Sequence, residues 1–334
     1  MTVSRAQEPL RDTPFDAAST AEEVAAGIDL TGRVAVVTGG HSGIGRETTR
    51  VLRARGADVV VPVRDPAKAA GMLEGVEGVE IDRLDLADPE SVDAFAAGFL
   101  AGGRQLDIVV NSAGIMGVPL TRDVHGHESH FATNHLGHFR LTARLSPVLA
   151  PDARVVSVSA AAHRLSPVVF DDVDFERREY QPMLGYGQSK TANILFALEL
   201  DRRGIRAFSV HPGSIVETNL SGWAAPETLR AMKLVDEDGK PVIDPYSGKK
   251  NVPQGAATSV WCAVSPQLDG FGGVYCVDNN IAPVAAESGP DARSHGTAEI
   301  PTAGVSPHAT DPGAAARLWE LSERLTGVAF QARL

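Results

Sequence analysis

The chain has little sulfur and few rings: two cysteines, Cys262 and Cys276, and 5% aromatic residues among 334. Two thiols do not make a disulfide framework, and they read as small buried hydrophobes. There is no run of about 18 apolar residues, so no membrane span is expected. Residues 1–15 carry Arg5, Glu8, Arg11 and Asp12 and have no apolar stretch of the signal-peptide kind. A cytoplasmic location is therefore expected. Basic runs are also missing, and the formal net charge is -11. That balance argues against nucleic acid or an anionic membrane as partner and leaves a small-molecule substrate.

What the chain does have is 43% hydrophobic residues, enough for a sizeable core in one α/β domain. Short Val/Ile-rich runs at 33–38, 58–63, 79–84, 107–111, 154–159, 205–210 and 273–277 predict strands. Amphipathic segments at 43–55, 66–73, 89–100, 128–149, 185–203 and 253–264 predict helices. Strands alternating with helices predict a parallel sheet covered on both faces, that is, a doubly wound Rossmann-type α/β fold. That places the catalytic domain at 31–283. An N-terminal extension covers 1–30, where Thr20-Ala-Glu-Glu23 has the form of a capping box. A long connection at 213–252 is expected to shape the substrate pocket. Residues 284–334 form a C-terminal extension, irregular at first and helical from 312 to 325.

The first predicted strand runs into Thr38-Gly39-Gly40-His41-Ser42-Gly43-Ile44-Gly45 and then a helix. Glycines at 39, 43 and 45 allow a tight turn and close approach of backbone to a pyrophosphate, while the helix start offers free N–H groups and a positive dipole end. The strand–turn–helix context makes this a dinucleotide site rather than three incidental glycines. The second strand ends at Arg64-Asp65-Pro66. An arginine there suits a 2′-phosphate. Asp65 is better explained as the cap of a helix that starts on proline. NADP is therefore favoured over NAD.

Far downstream, Tyr186-Gly-Gln-Ser-Lys190 opens a helical run. Positions i and i+4 share a helix face, and an ammonium one turn from a phenol favours its ionised form. A phenol tuned towards neutrality can exchange a proton with a carbinol oxygen while hydride moves to or from a nicotinamide.

These motifs, with Leu84-Asp-Leu86, Asn111-Ser-Ala-Gly114, Thr133-Asn-His-Leu-Gly-His-Phe139 and Val210-His-Pro-Gly213, stand in the order of one known family. From about residue 30 to 283 the chain resembles the short-chain dehydrogenases/reductases, and most closely their retinol-dehydrogenase-like and WW-domain-oxidoreductase-like members. The resemblance implies that Asp85 and Leu86 flank the adenine. It places Asn111, Ala113 and Gly114 along the cofactor, and Pro212, Gly213 and Thr218 around the nicotinamide. Asn134 would hold a relay water through its backbone carbonyl. Tyr186 would be the general acid/base, and Lys190 would bind the nicotinamide ribose. It also implies assembly as a homodimer or homotetramer.

One position departs from the family. The fifth strand runs Val155-Val-Ser-Val-Ser159-Ala160-Ala-Ala-His163, and alignment on Arg154 and His163 puts Ala160 where relatives carry the catalytic serine. Removing one such hydrogen-bond donor typically lowers turnover about 10²–10³-fold. Three readings are open, apart from a one-residue shift of register. Ser159 takes the serine's place, or His163 or a pocket-loop hydroxyl does, or the protein binds cofactor with weak, atypical or redox-neutral activity.

Five of the ten histidines fall between His125 and His138. His127-Glu-Ser-His130 is one residue short of the zinc-protease spacing, and no metal is expected. His41, inside the glycine turn, is a candidate cofactor contact.

Overall fold

The structure is a computed structural model that describes residues 7–218, 220, 224–285 and 304–330. Eight strands form one sheet in the order β3-β2-β1-β4-β5-β6-β7-β8. They are β1 (Val34–Thr38), β2 (Asp58–Val63), β3 (Val79–Arg83), β4 (Leu106–Asn111), β5 (Leu149–Val158), β6 (Ala207–His211), β7 (Val274–Val277) and β8 (Asn280–Ile281). The first seven pair in parallel, and β8 turns back antiparallel on β7. The predicted doubly wound sheet is present. The order reverses between β1 and β4, the point at which folds of this kind bind ligands beyond the carboxyl ends of the strands.

The helices are α1 (Ala21–Val24), α2 (Gly43–Ala54), α3 (Pro66–Met72), α4 (Pro89–Ala101), α5 (Ser129–Phe131), α6 (Gly137–Leu145), α7 (Pro182–Arg202), α8 (Pro226–Ala231), α9 (Val252–Val264) and α10 (Pro312–Thr326). On one face of the sheet, Val37, Val61, Val156 and Phe208 pack against Val51, Leu52 and Trp261 of α2 and α9. On the other face, Val36, Val109 and Val155 pack against Phe95, Phe139 and Phe196 of α4, α6 and α7. The Thr20–Glu23 capping box forms as read, and Ala21, Val24 and Ala25 join the α9-side core. Gln7 reaches β7 and hydrogen-bonds Tyr275 and Ala282. The described part of the N-terminal segment is thus packed against the domain.

The predicted helix 128–149 is instead a run of α5, one π-helical stretch (Ala132–Leu136) and α6, ending at Leu145. Strand β5 begins at Leu149, five residues before the predicted start. Helix α7 begins at Pro182, so Tyr186 lies a full turn inside the helix rather than at its head. Its residues 185–200 are buried all round, because the sheet covers one side and α10 the other. In that outer layer Trp319 stacks with Phe139 and Phe330 at ring separations of 5.3 and 4.4 Å. No membrane-spanning helix occurs among the described residues.

Candidate active site

The glycine turn follows β1 directly. Gly39 has φ of +68°, and a Cβ there would lie 3.0 Å from the Ala113 Cα. A Cβ at Gly45 would collide with the Gly39 carbonyl oxygen. Only glycine lets the turn and the β4 loop lie this close. Ser42 caps α2 without using its side chain, so the first N–H groups of the helix remain free for an anion. Thr218, from the loop after β6, closes on this turn, with its methyl 2.9 Å from where a Gly43 Cβ would stand. Ile44 leans away from the turn towards Gly255 on α9.

At the end of β2, Asp65 caps α3 by accepting from the Lys68 N–H, as read. The Arg64 and Lys68 side chains are exposed and have no hydrogen-bond or ion-pair partner among the described residues. The His41 Nδ1 is buried with no partner. Burial lowers the His41 pKa, and the charges of Arg64 and Lys68 lower it further. Free N–H groups, an orphaned imidazole nitrogen and two unpaired cations together fit the phosphates of a dinucleotide.

Thr38 joins β1 to the β4 loop. Its Oγ1 accepts from the Ser112 and Ala113 N–H groups at 3.0 and 3.1 Å and lies 2.9 Å from His138 Nε2. His138 Nδ1–H in turn donates to the Asn134 carbonyl at 2.9 Å. Burial pushes His138 down to about 4, so the ring is neutral and its Nε2 can accept the Thr38 hydroxyl. Asn134 stands in the π-helical stretch. Its carboxamide accepts from the Ile115 N–H and donates to the Ile115 carbonyl and to Ser189 Oγ. A π-helical stretch is a frequent sign of a functional position. A Cβ on Gly114 would lie 3.1 Å from Asn134 Oδ1 and 3.6 Å from Lys190 Nζ.

Tyr186 and Lys190 are 4% exposed each. Lys190 Nζ sits 5.4 Å from the centre of the Tyr186 ring and donates to the Val158 carbonyl at 3.0 Å. Burial pushes Lys190 down to about 8 and raises the Tyr186 phenol well above its ordinary value. Burial thus holds the phenol in its protonated form. Both groups are dry, and desolvation, which disfavours either charge, outweighs their attraction.

The residues that this geometry gathers from β1, β4, the π-helical stretch and α7 can be set beside known proteins. A family model described as short chain dehydrogenase matches residues 33–227. The chain belongs to the short-chain dehydrogenases. It is 43% identical to the Streptomyces lividans protein named "Probable oxidoreductase", over 88% of this chain and 97% of that one. It is 35% identical to human retinol dehydrogenase 12, over 91% and 89% respectively. A crystal structure of a Mycobacterium paratuberculosis protein, 33% identical, covers 92% of this chain with a TM-score of 0.69.

In this short-chain dehydrogenase the position of Ala160 is partly exposed, whereas Ser159 is buried. Ser159 Oγ donates to the Lys190 carbonyl at 2.8 Å. Of the three readings for that position, the one that puts Ser159 in the serine's place meets a proton already engaged beneath α7. His163 is held as well: Nδ1 lies 2.8 Å from the Ala160 carbonyl, and Nε2 accepts from the Ser306 N–H. Burial keeps it neutral, with a pKa of about 4. Of the three substitutes weighed for that serine, these two hold no free donor.

Other residues fall at the crevice with mixed outcomes. Asn111 is buried at the end of β4 with its Oδ1 unpartnered. Asp85 Oδ1 accepts from the Ala87 N–H, an ordinary turn contact. The Leu86 side chain packs in the core with Phe95 and Phe139, and its carbonyl abuts Gly137. Pro212 precedes Gly213, whose φ is +90° and where a Cβ would meet the Gly248 carbonyl at 2.9 Å. Among the described residues no cluster of three His, Cys, Asp or Glu could hold a metal. Thr38 and His138 were missed by sequence reasoning as parts of the site. The i,i+4 spacing of Asn134 and His138 was the available signal.

Proposed function

We propose that this short-chain dehydrogenase is an NADP-dependent oxidoreductase that interconverts an alcohol and a carbonyl on a small to medium, apolar or cyclic substrate. The observation that carries the reading is the convergence of Tyr186, Lys190, Asn134 and Gly114 beside the glycine turn. When bound, NADP supplies or accepts the hydride. Arg64, Lys68 and His41 would hold its 2′-phosphate end, and the start of α2 its pyrophosphate. Tyr186 holds a proton at its phenol oxygen. Burial keeps that proton in place at neutral pH, which suits donation to a carbonyl oxygen. Lys190, fixed by Val158, stands beside Gly114 at the ribose end of the crevice. The apolar substrate is supported by the human relative's name, that of a retinol dehydrogenase.

The test is Tyr186→Phe, assayed by NADPH consumption with a panel of ketones, aldehydes and quinones. Turnover should vanish while NADPH binding persists, and retained turnover would refute the role of the phenol. Ala160 supports a second reading, a cofactor-binding protein with weak, atypical or redox-neutral activity. No turnover of any panel member alongside tight NADPH binding would favour it. A homodimer or homotetramer built on α6 and α7 would have to form over α10, which covers them here.

A further inference from the structure

The C-terminal extension returns to the strand end that carries position 160. Ala160 leads into the 3₁₀ turn Ala161–Leu165. Three hydrogen bonds join that turn to residues 304–308. The Ser306 N–H donates to His163 Nε2 at 3.1 Å, the His308 Nε2–H donates to the His163 carbonyl at 3.0 Å, and Arg164 Nη2 donates to the Gly304 carbonyl at 3.1 Å. Gly304 has φ of +85°, and a Cβ there would lie 3.0 Å from the Pro283 carbonyl oxygen, so this close approach requires glycine. Val305 and Ala309 pack in one cluster with Ile194 of α7 and Tyr275 of β7. The Tyr275 ring in turn lies 5.1 Å from the ring of His163.

The Ser306 bond fixes the place of a proton. A backbone N–H can only donate, so Nε2 is the bare nitrogen of a neutral ring and Nδ1 carries the hydrogen. Burial pulls His163 down to about 4 and keeps the ring neutral. Nδ1–H then donates to the Ala160 carbonyl at 2.8 Å, which also accepts the His163 N–H at 3.1 Å. One buried imidazole thus spans the C-terminal segment and the backbone of position 160. The turn also sits on α7. Thr191 Oγ1 lies 3.0 and 2.7 Å from the His163 and Ser166 carbonyl oxygens, and a Cβ on Gly187 would lie 2.6 Å from the Ala162 carbonyl oxygen. Gly187 follows Tyr186 directly, so the turn bears on α7 beside the phenol's residue.

We propose that residues 304–308 are part of the active site, a clasp that holds residues 160–165 against α7 through His163 and so sets how a carbonyl substrate lies against Tyr186. This rests on the reading of Tyr186 as the acid. His163 is a positioning residue: it acts through the Ala160 carbonyl and the seat at Gly187, not on the reacting atoms.

The decisive variant is Ser306→Pro, which removes the N–H that His163 accepts. Ser306 has φ of -67°, the value proline imposes, and Val305 before it is held extended by its bridge to Val284, as suits a residue before proline. The reference is Ser306→Ala, which loses the hydroxyl and keeps the N–H. Against that reference, with NADPH and the carbonyl that wild type turns over, kcat/KM should fall about tenfold, since small misplacements beside reacting atoms are costly. The NADPH dissociation constant should stay within about twofold, because the cofactor's contacts lie elsewhere. His163→Asn removes Nε2 yet leaves an amide N–H for the Ala160 carbonyl. In that background Ser306→Pro should cost nothing further, because both changes break one link. A folded Ser306→Pro protein with the kcat/KM of Ser306→Ala overturns the proposal, even if its melting temperature falls. So does a double variant whose losses multiply, the mark of two separate structural injuries. If proline prevents folding, His163→Asn alone should show the loss, and a wild-type kcat/KM there overturns the proposal. The backbone ¹H–¹⁵N resonances of Tyr186 and Gly187 in the NADP-bound protein need no turnover. They should differ between Ser306→Ala and Ser306→Pro, and identical resonances overturn the clasp. A wild type that reduces nothing refutes the proposed function instead, and these resonances then decide the clasp.

Discussion

Restoring a hydroxyl at position 160 should raise turnover. Ala160 has extended backbone (φ -158°, ψ 162°) and begins the short 3₁₀ turn Ala161–Leu165. Serine adds one oxygen at a partly exposed site without a demand on φ. The two nearest substitutes are unavailable: Ser159 donates to the Lys190 carbonyl, and the ring nitrogens of His163 are engaged by Ala160 and Ser306. The variant therefore adds a donor where none of these can serve. One donor aimed at a developing oxyanion is worth about 2.7–4 kcal/mol, or about 10²–10³ in kcat. The assay is NADPH consumption by wild type and Ala160→Ser on the same carbonyl panel, with NADPH affinity measured in parallel. A gain of that size in kcat, with affinity unchanged, is expected. Equal kcat in two proteins that both turn over would refute the reasoning and show that a pocket-loop group already donates.

Two further outcomes follow from charges in the crevice. Arg64→Ala should weaken NADPH binding about tenfold or more while leaving NADH binding nearly unchanged, since a charge-assisted bond contributes about 1.5–3 kcal/mol; equal losses for both cofactors in titration would discount a 2′-phosphate contact. Lys190 has a folded-state value near 8, against 10.5 for an unburied lysine. Its ammonium, if required, is lost as pH rises through about 8, so kcat/KM should fall there and Lys190→Arg should keep the rate level. Stability moves the other way. Between about 8 and 10.5 the unfolded chain holds the extra proton, so this group stabilises the fold as pH rises across that window. Below it the buried charge costs up to about 3 kcal/mol, at roughly 1.4 kcal/mol per unit. Lys190→Met should accordingly be the more stable protein at pH 7, with the gap closing above pH 10 in thermal melts.

Much of the sheet and the glycine turn was legible because backbone geometry limits which residues can stand there. Gly39 and Gly45 sit where a Cβ would strike neighbouring backbone, and no other residue satisfies that. Asp65-Pro66 and Thr20–Glu23 announced their caps by local chemistry alone. The failures came where long-range packing decides. Helix α7 is buried all round, so no polar face marked its start at Pro182. The early residues of β5 pair only at Leu149 with Leu106 before a register shift, and Pro151 disguised them as a loop. The direction of a side chain at a strand end was equally hidden. Ser159 looks like a plausible nucleophile-side donor in sequence, yet alternation along β5 turns it under α7 together with Ser157. His127-Glu-Ser-His130 was weighed only as a failed zinc pattern, because contact with Tyr186 depends on a partner more than fifty residues away.

On the proposed reading, the crevice keeps Tyr186 as a proton donor and has alanine rather than a hydroxyl at position 160. A raised phenol, on that reading, keeps its proton at neutral pH and is one donor to the developing oxyanion. With alanine at position 160, and with Ser159 and His163 engaged elsewhere, none of these three adds a second donor. The carbonyl carbon must then accept hydride largely on its own electrophilicity, and only interactions stronger in the transition state than in the ground state raise the rate. Quinones and aldehydes should outrun simple ketones by a wider margin in the natural protein than in Ala160→Ser, where the added hydroxyl supplies the early stabilisation. The slope of log kcat against carbonyl electrophilicity is therefore the informative quantity. A slope that does not flatten in the serine variant would mean that proton transfer from Tyr186 already keeps pace with the hydride, and that the missing hydroxyl was never limiting.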